Sequence, residues 1–240
     1  SPLENFFYDE QFARFLSYHQ HQALEEGREL HLVLLGDIFD FLRVSSPSLP
    51  QHQYSLDTSI ATALQKIEQI AAGHVVFFEA LGRLLNAGFS LEIMPGNHDI
   101  EITQIAVQEK VKALIERYGH CSQEAASRIN FYPWIYYLPG VFYAEHGQQH
   151  HWINSFPNLA MLISQERTNR IRLPVGSHFE IYLQALLKAT GMPAPSQSPV
   201  LRSLLLNVLK HPVLWVHSAG AQLRFLGALL GSVLNRSNPR

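Results

Sequence analysis

Short apolar runs alternate with helical patterns along the first 150 residues. Residues 31–35 and 91–94 are short, mostly apolar and bounded by turn residues, which predicts two buried strands. An aromatic, alternating stretch follows at 129–137, and a further apolar run covers 141–144 after a Pro-Gly turn. The pattern of these two later runs predicts antiparallel strands.

Apolar residues that recur three and four positions apart predict three helices, over about residues 10–26, 57–86 and 104–118. Asp9 is expected to cap the first helix, and Ser55 or Asp57 the second. Thr103 is expected to cap the third helix. The second pattern is long, and we expect it to bend or break near Gly73. Strands separated by helices indicate an α/β fold.

The pattern changes after residue 151, where helices rich in Leu, Ala and Arg are predicted. Pro-containing segments at 174–176, 191–199 and 211–212 interrupt them. A chain of 240 residues fits one large domain or one domain with an insertion. We therefore divide it into residues 1–151 and residues 152–240.

Charge follows the same division. The net charge is −2, but residues 152–240 hold nine Lys or Arg and two acidic residues. The first 151 residues hold the other nine basic residues and 18 acidic ones, so the two regions carry +7 and −9. This asymmetry indicates different tasks for the two regions.

Composition indicates a globular protein. The chain is 47% hydrophobic and 16% charged, which is typical of a fold with a sizeable core. Cys121 is the single cysteine, which excludes an intrachain disulfide and a cysteine-based zinc site. We see neither a secretory signal pattern nor an apolar run of about 18 residues, and we expect a cytoplasmic protein.

Polar side chains follow three of the predicted strands. Asp37 comes directly after the first, Asn97, His98 and Asp99 follow the second, and His146 follows the last. The carboxyl ends of strands in an open α/β sheet are where sites are built, so we expect Asp37, Asn97 and His146 to converge. Each of these motifs alone also fits a polar turn or a helix cap.

The motifs Gly36-Asp37-x-x-Asp40, Gly96-Asn97-His98-Asp99 and His146-Gly147 together resemble the calcineurin-like metallophosphoesterases. The resemblance covers about residues 1–150. Within that superfamily the chain is most similar to the UDP-2,3-diacylglucosamine pyrophosphatase-like branch, in which a helical insertion also follows the His-Gly motif. The resemblance implies an α/β sandwich core over residues 1–151, with residues 152–240 as a basic, apolar helical insertion or lid.

The resemblance also implies a dinuclear metal site, whose ligands here would be Asp37, Asn97 and His146. Asp37 would bridge two divalent ions, with Mn²⁺ favoured and Zn²⁺ or Fe tolerated. His98 would donate a proton to the leaving oxygen, and Asp99 would orient the His98 ring. Asp40 would steady the site from a position behind it.

Two motifs of the family are missing. The family begins with Asp-x-His and ends with Gly-His-x-His, whereas this chain has no Asp-x-His, and Gly73-His74 and Gly119-His120 lack the second His. We therefore expect a fragment that holds part of the site and has little or no activity alone. The alternative is a degenerate, non-catalytic homologue that acts as a membrane-surface or protein-binding module.

The function that this resemblance implies is hydrolysis of a phosphoester or pyrophosphate bond, with a phosphate-ester or nucleotide-diphosphate type of substrate. The basic and apolar character of residues 152–240 would suit an amphiphilic substrate or peripheral contact with an anionic membrane. The acidic first region argues against nucleic acid as a partner. The sequence leaves the oligomeric state open.

Overall fold

The computed structural model describes residues 6–45, 56–156, 171–178, 180–181 and 227. Its helices, in chain order, are α1 (Asp9–Glu25), α2 (Ile60–Gly73), α3 (Val75–Asn86), α4 (Ile105–Gly119) and α5 (Gln123–Ala126). Its strands are β1 (His31–Leu35), β2 (Ser90–Met94), β3 (Ile129–Phe131), β4 (Ile135–Leu138) and β5 (Phe142–Glu145). Short 3₁₀ helices cover Phe41–Arg43, Ile100–Thr103 and Gln148–His150.

A parallel sheet with the order β1-β2-β3 forms the centre of the described fold. Leu34 pairs with Ile93 and Leu35 with Met94, so β1 and β2 end level with each other. Because parallel strands run in one direction, the polar loops that follow β1 and β2 leave the same edge of the sheet. The predicted α/β class is confirmed at this level, as helices combined with a parallel sheet.

The strand pairing predicted for residues 129–137 is partly wrong. β3 pairs parallel with β2, whereas β4 and β5 form a separate antiparallel pair. Pro133 lies between β3 and β4 and has no backbone N–H to donate, which explains why the aromatic stretch does not continue as one strand. Alternating aromatic residues predicted the strands but not their partners.

The core lies between the sheet and the helices, with α3 in contact with α1, α4 and β2. Its fully buried side chains include Phe78, Leu81, Leu84, Leu91 and Ile93. Each such side chain contributes roughly 1.5–3 kcal/mol through burial. This packing fixes β2, and with it the loop that carries Asn97.

The predicted second helix is two helices, since α2 ends at Gly73 and α3 begins at Val75. His74 between them has φ −125° and ψ 45°, outside the helical range, so the predicted break is confirmed within one residue. Ser59 caps α2 through its hydroxyl, which accepts from the Thr62 amide at 3.4 Å. The predicted cap at Asp57 is wrong because that carboxylate accepts from the Ser59 and Thr62 hydroxyls.

The other predicted caps have different roles. Ser55 lies outside the described residues. Asp9 is the first residue of α1 and makes no capping hydrogen bond; it pairs with His74 instead. Thr103 does not cap α4, which begins after Gln104, and the Thr103 hydroxyl donates to the Ile100 carbonyl at 2.8 Å.

The chain divides into two compact units, Ser1–Arg172 and Leu173–Arg240. In the second unit, residues 175–178 are helical. The helices predicted for most of residues 152–240, and their breaks at 191–199 and 211–212, lie outside the described residues, and the boundary after residue 151 stays a prediction. Within the described ranges, no helix combines the length and apolar character that crossing a membrane requires.

Candidate metal centre

The loops after β1 and β2 touch backbone to backbone. A Cβ atom at Gly36 would collide with the backbone of Gly96, and one at Gly96 would collide with the Asp37 amide and carboxylate. Gly36 has φ +82° and Asp37 has φ +53°, so the β1 loop turns through the left-handed region. The two glycines thus let Asp37 lie directly against the loop of Asn97 and His98.

Asp99 ties the two loops together. Its side chain is completely buried; Oδ2 accepts from the amides of Ile38 at 2.8 Å and Phe39 at 3.2 Å, and Oδ1 accepts from the Gly96 amide at 2.5 Å. Burial, together with the nearby charge of Asp37, raises the pKa of Asp99 to about 6. Asp99 therefore binds backbone amides of both loops, and it is not the residue that contacts the His98 ring.

We predicted that Asp99 would contact the His98 ring. The carboxylate that contacts this ring is that of Asp40. His98 Nδ1 lies 3.0 Å from Asp40 Oδ1, and the His98 amide donates to Asp37 Oδ1 at 2.9 Å. Asp40 Oδ2 lies 3.1 Å from Arg43 Nε, so one carboxylate joins His98 to Arg43. A carboxylate on Nδ1 places the ring proton there and fixes the orientation of the ring.

His146 reaches the same place from the end of β5. Its Nδ1 lies 2.7 Å from the Leu35 carbonyl, which can only accept, so Nδ1 carries a proton. Its Nε2 lies 3.3 Å from Asn97 Oδ1 and 3.4 Å from Asp37 Oδ2. The predicted convergence of Asp37, Asn97 and His146 is confirmed.

The charges of Asp37 and His146 respond to each other. Burial alone would raise the pKa of Asp37, but the hydrogen bond from His146 and the neighbouring His98 hold it below its ordinary value. The hydrogen bond to Asp37 raises the pKa of His146 against the opposing effect of burial. Each group therefore favours the charged form of the other.

The arrangement fits a divalent cation. Without a cation, a proton on His146 Nε2 lies between that nitrogen and the oxygens Asp37 Oδ2 and Asn97 Oδ1. If Nε2 gives up that proton, all three atoms present lone pairs to one another, and a cation between them would satisfy them. Two ligand atoms about 2.1 Å from a tetrahedral ion lie about 3.4 Å apart, close to the spacing seen here. Mixed oxygen and nitrogen ligands suit Mn²⁺, Zn²⁺ or Fe.

The set of ligands is nevertheless partial. Among the residues that the structure describes, no three His, Cys, Asp or Glu side chains form a group that could hold a metal ion. The candidate centre consists of one carboxylate, one imidazole and one amide oxygen. We predicted a partial site because the Asp-x-His and Gly-His-x-His motifs are absent, and that stays a prediction.

Two contributors were missed by sequence reasoning. Arg43 follows Asp40 by three residues, and the 3₁₀ helix between them brings the two side chains together. The Asp-x-x-Arg spacing could have indicated this pair. Lys66 is almost completely buried and donates to the Phe41 carbonyl at 2.9 Å, behind the Asp40 loop. It stands in a helical pattern that gives no such signal.

Comparison with known proteins finds no family model, no curated protein and no solved structure that matches the chain. The function of the site must therefore be inferred from its own chemistry.

Proposed function

We propose that this chain carries part of the dinuclear metal centre of a phosphoesterase or pyrophosphatase, built on a metallophosphoesterase α/β sandwich. The single observation that supports this most is the meeting of Asp37, Asn97 and His146 at one edge of the sheet. Three separate strands deliver one ligand-type side chain each to this point. A polar turn or a helix cap would not require that convergence.

Asp37, Asn97 and His146 would hold the metal. When bound, divalent ions at such a site lower the pKa of a water molecule and offset negative charge at phosphorus. The hydrogen bond from His146 Nδ1 to the Leu35 carbonyl fixes the ring so that Nε2 faces the two oxygens. We favour Mn²⁺, with Zn²⁺ or Fe as other candidates.

His98 would supply the proton. Hydrolysis joins a water oxygen to phosphorus, breaks the bond from phosphorus to the leaving oxygen, and needs a proton on that oxygen. Asp40 holds His98 Nδ1 and so fixes the ring, and Nε2 would carry the proton that is transferred. Asp99 contributes by holding the two loops in register, a positioning role in place of the orienting role predicted for it.

Arg43 would meet the negative charge of the substrate. It lines the same pocket as Asp37, Asp40 and His98 and is ion-paired with Asp40. An anionic phosphate near two aspartates needs a compensating cation, and a guanidinium is suited to phosphate oxygens. The +7 charge of residues 152–240 supports the same preference and, with its apolar residues, an amphiphilic phosphate ester or an anionic membrane surface.

One observation favours a second candidate. Because the described ligand set is partial, the chain could also be a degenerate homologue that binds a membrane surface or a protein without catalysis. Metal binding separates the two proposals, since a module that has lost the chemistry has no need of its ligands.

Titration of the purified chain with Mn²⁺ in a calorimeter tests the proposal. We expect Asp37→Asn to weaken Mn²⁺ binding at least about tenfold, because it removes the charged ligand. His98→Ala should leave the affinity within about twofold, since His98 is not one of the three proposed ligands and its Nδ1 is held by Asp40.

His21→Ala is the matched control, because His21 pairs with Glu25 on the surface of α1. Equal loss of Mn²⁺ affinity in the Asp37 and His98 variants would show that His98 is a ligand and not the proton donor. No Mn²⁺ binding by the natural chain would overturn the metal-centre proposal.

A further inference from the structure

A pocket with a volume of about 510 Å³ adjoins the candidate metal centre. Asp37, Asp40, Arg43 and His98 line it, so it opens directly onto the groups assigned to the phosphate. Small-molecule sites in proteins have volumes of about 300–1,000 Å³. The pocket is therefore large enough for an organic group attached to that phosphate.

Apolar side chains form much of the remaining wall, and the aliphatic ones are Leu34, Ile38, Val44 and Ile70. The pocket is lined by Phe6, Phe12, Phe39, Phe77 and Phe78. Phe12 stacks on Phe77 with ring centroids 4.7 Å apart, and Phe39 meets Phe77 edge-on at 6.5 Å. Faces and edges of aromatic rings are good partners for another flat ring.

A polar pair interrupts this apolar wall. His74 Nδ1 lies 3.0 and 3.1 Å from the two oxygens of Asp9, and both residues line the pocket. The side chains of His74 and Asp9 are 17% and 21% exposed, so the pair keeps some access to the pocket. Any apolar group that reached this pair would desolvate it without a hydrogen bond in return, so the pair limits how far an apolar group extends along the wall.

We propose that this pocket binds the organic group of the phosphate ester, and that this group is a compact aromatic ring system and not a long alkyl chain. The inference rests on the proposed function, because the phosphate must lie at Asp37 and His98 for its organic group to enter the pocket. It adds a substrate class that the metal centre itself does not define. The ring packs among the phenylalanines while the phosphate faces Arg43.

Binding of stable phosphonates to the natural chain tests the inference without turnover. Methyl-, phenyl-, 2-naphthyl- and octylphosphonate share one anionic head, and their carbon–phosphorus bond resists hydrolysis. In buffer containing Mn²⁺, we expect phenyl- and naphthylphosphonate to bind about tenfold or more tightly than methylphosphonate, because the ring is removed from water. Octylphosphonate should bind less tightly than naphthylphosphonate.

A pocket-filling variant locates the effect. Ile70 lines the pocket, so Ile70→Trp should remove the preference for the aromatic phosphonates while methylphosphonate binds as before. Ile105→Trp is the matched control, because Ile105 is 57% exposed on α4 and does not line the pocket. If Ile70→Trp does not fold, the binding of the four phosphonates to the natural chain still tests the inference.

The outcomes separate the two proposals. Equal affinity for all four phosphonates overturns the pocket inference and leaves the phosphate site standing. Tightest binding of octylphosphonate also overturns it, in favour of a chain-binding pocket. No binding of any phosphonate in the presence of Mn²⁺ overturns the proposed function and this inference with it.

Discussion

Two glycine pairs in the described part of the fold bring backbones into contact, and the two contacts have different consequences. Gly36 and Gly96 join the loops after β1 and β2, and a Cβ on either would collide with the opposite loop. Gly82 on α3 and Gly119 at the end of α4 form the second pair, with the same mutual collision. In both places the absence of a side chain allows the close contact, and the surrounding residues determine its consequence.

Around the first pair the backbone is unusual and the groups are charged. Gly36 and Asp37 have positive φ, and the buried carboxylate of Asp99 holds both loops. Around the second pair the side chains are apolar, as Phe78 and Leu81 show, and the backbone is helical. The close contact of the two loops thus positions the proposed ligand atoms, whereas the close contact of α3 and α4 packs the apolar core.

The largest effect on stability is expected at the helical pair. Gly82→Ala puts a methyl group against the backbone of Gly119, which cannot move without separating α3 from α4. We expect the free energy of unfolding to fall by about 2–3 kcal/mol in chemical denaturation, because overpacking outweighs the gain of about 1 kcal/mol in helix propensity. Mn²⁺ affinity of the folded variant should stay unchanged.

Gly73→Ala is the matched control for Gly82→Ala, since Gly73 also lies in a helix and has nothing within 4 Å of the added Cβ. It should raise the free energy of unfolding by about 0.5–1 kcal/mol. If both variants destabilise the chain by the same amount, the close packing of Gly82 and Gly119 does not contribute specifically to stability.

The second prediction concerns the loop pair. Gly96→Ala would push against the amide and carboxylate of Asp37 and displace the proposed bridging ligand. We expect Mn²⁺ affinity, measured by calorimetry, to fall at least about tenfold, while the free energy of unfolding falls by only about 1–2 kcal/mol. Unchanged Mn²⁺ affinity in a folded Gly96→Ala protein would mean that this loop contact does not position the ligands.

The sequence predicted the loop pair far better than the helical pair. Asp37, Asn97 and His146 were predicted to converge because each follows a strand, and the carboxyl ends of strands in an open α/β sheet meet at one edge. Gly82 and Gly119 stand inside helical patterns, where a glycine only lowers helix propensity. Their contact depends on how α3 crosses α4, which no local pattern encodes.

The exchange of roles between Asp40 and Asp99 has a similar cause. Asp99 was predicted to orient the His98 ring and Asp40 to steady the site from behind, whereas Asp40 contacts the ring and Asp99 holds the loops. Which carboxylate reaches the ring depends on the left-handed turn at Asp37 and on the path of the 3₁₀ helix Phe41–Arg43. Motif spacing places residues in a neighbourhood, and backbone dihedrals decide which of them touch.

The smallest effect is expected at Glu101, which lies in the 3₁₀ helix Ile100–Thr103. This carboxylate is 2% exposed, and its Oε2 has no hydrogen-bond partner within the described part of the chain. Burial raises the pKa of Glu101 to about 7, against the lowering effect of the Lys66 charge. A buried carboxylate with a raised pKa is typical of functional sites. We nevertheless expect Glu101 to affect stability and not metal binding.

The sign of its pH effect follows from proton binding. Between about pH 4.5 and 7 the folded chain keeps a proton on Glu101 that the unfolded chain has lost, so this residue makes the free energy of unfolding fall as pH rises. Glu101→Gln removes that dependence. We expect the variant to be more stable than the natural chain by about 1–2 kcal/mol at about pH 8 and equally stable at about pH 5.

Denaturation of both proteins at each pH measures this difference, with Glu109→Gln as the control because Glu109 is exposed on α4. The expected value is below the roughly 3 kcal/mol that the whole pKa change represents, because part of that change takes place below about pH 5. Mn²⁺ affinity should not change, because Glu101 follows the loop without supplying a ligand. A loss of Mn²⁺ affinity in Glu101→Gln, with no change in the pH dependence of stability, would move Glu101 from the core to the metal centre.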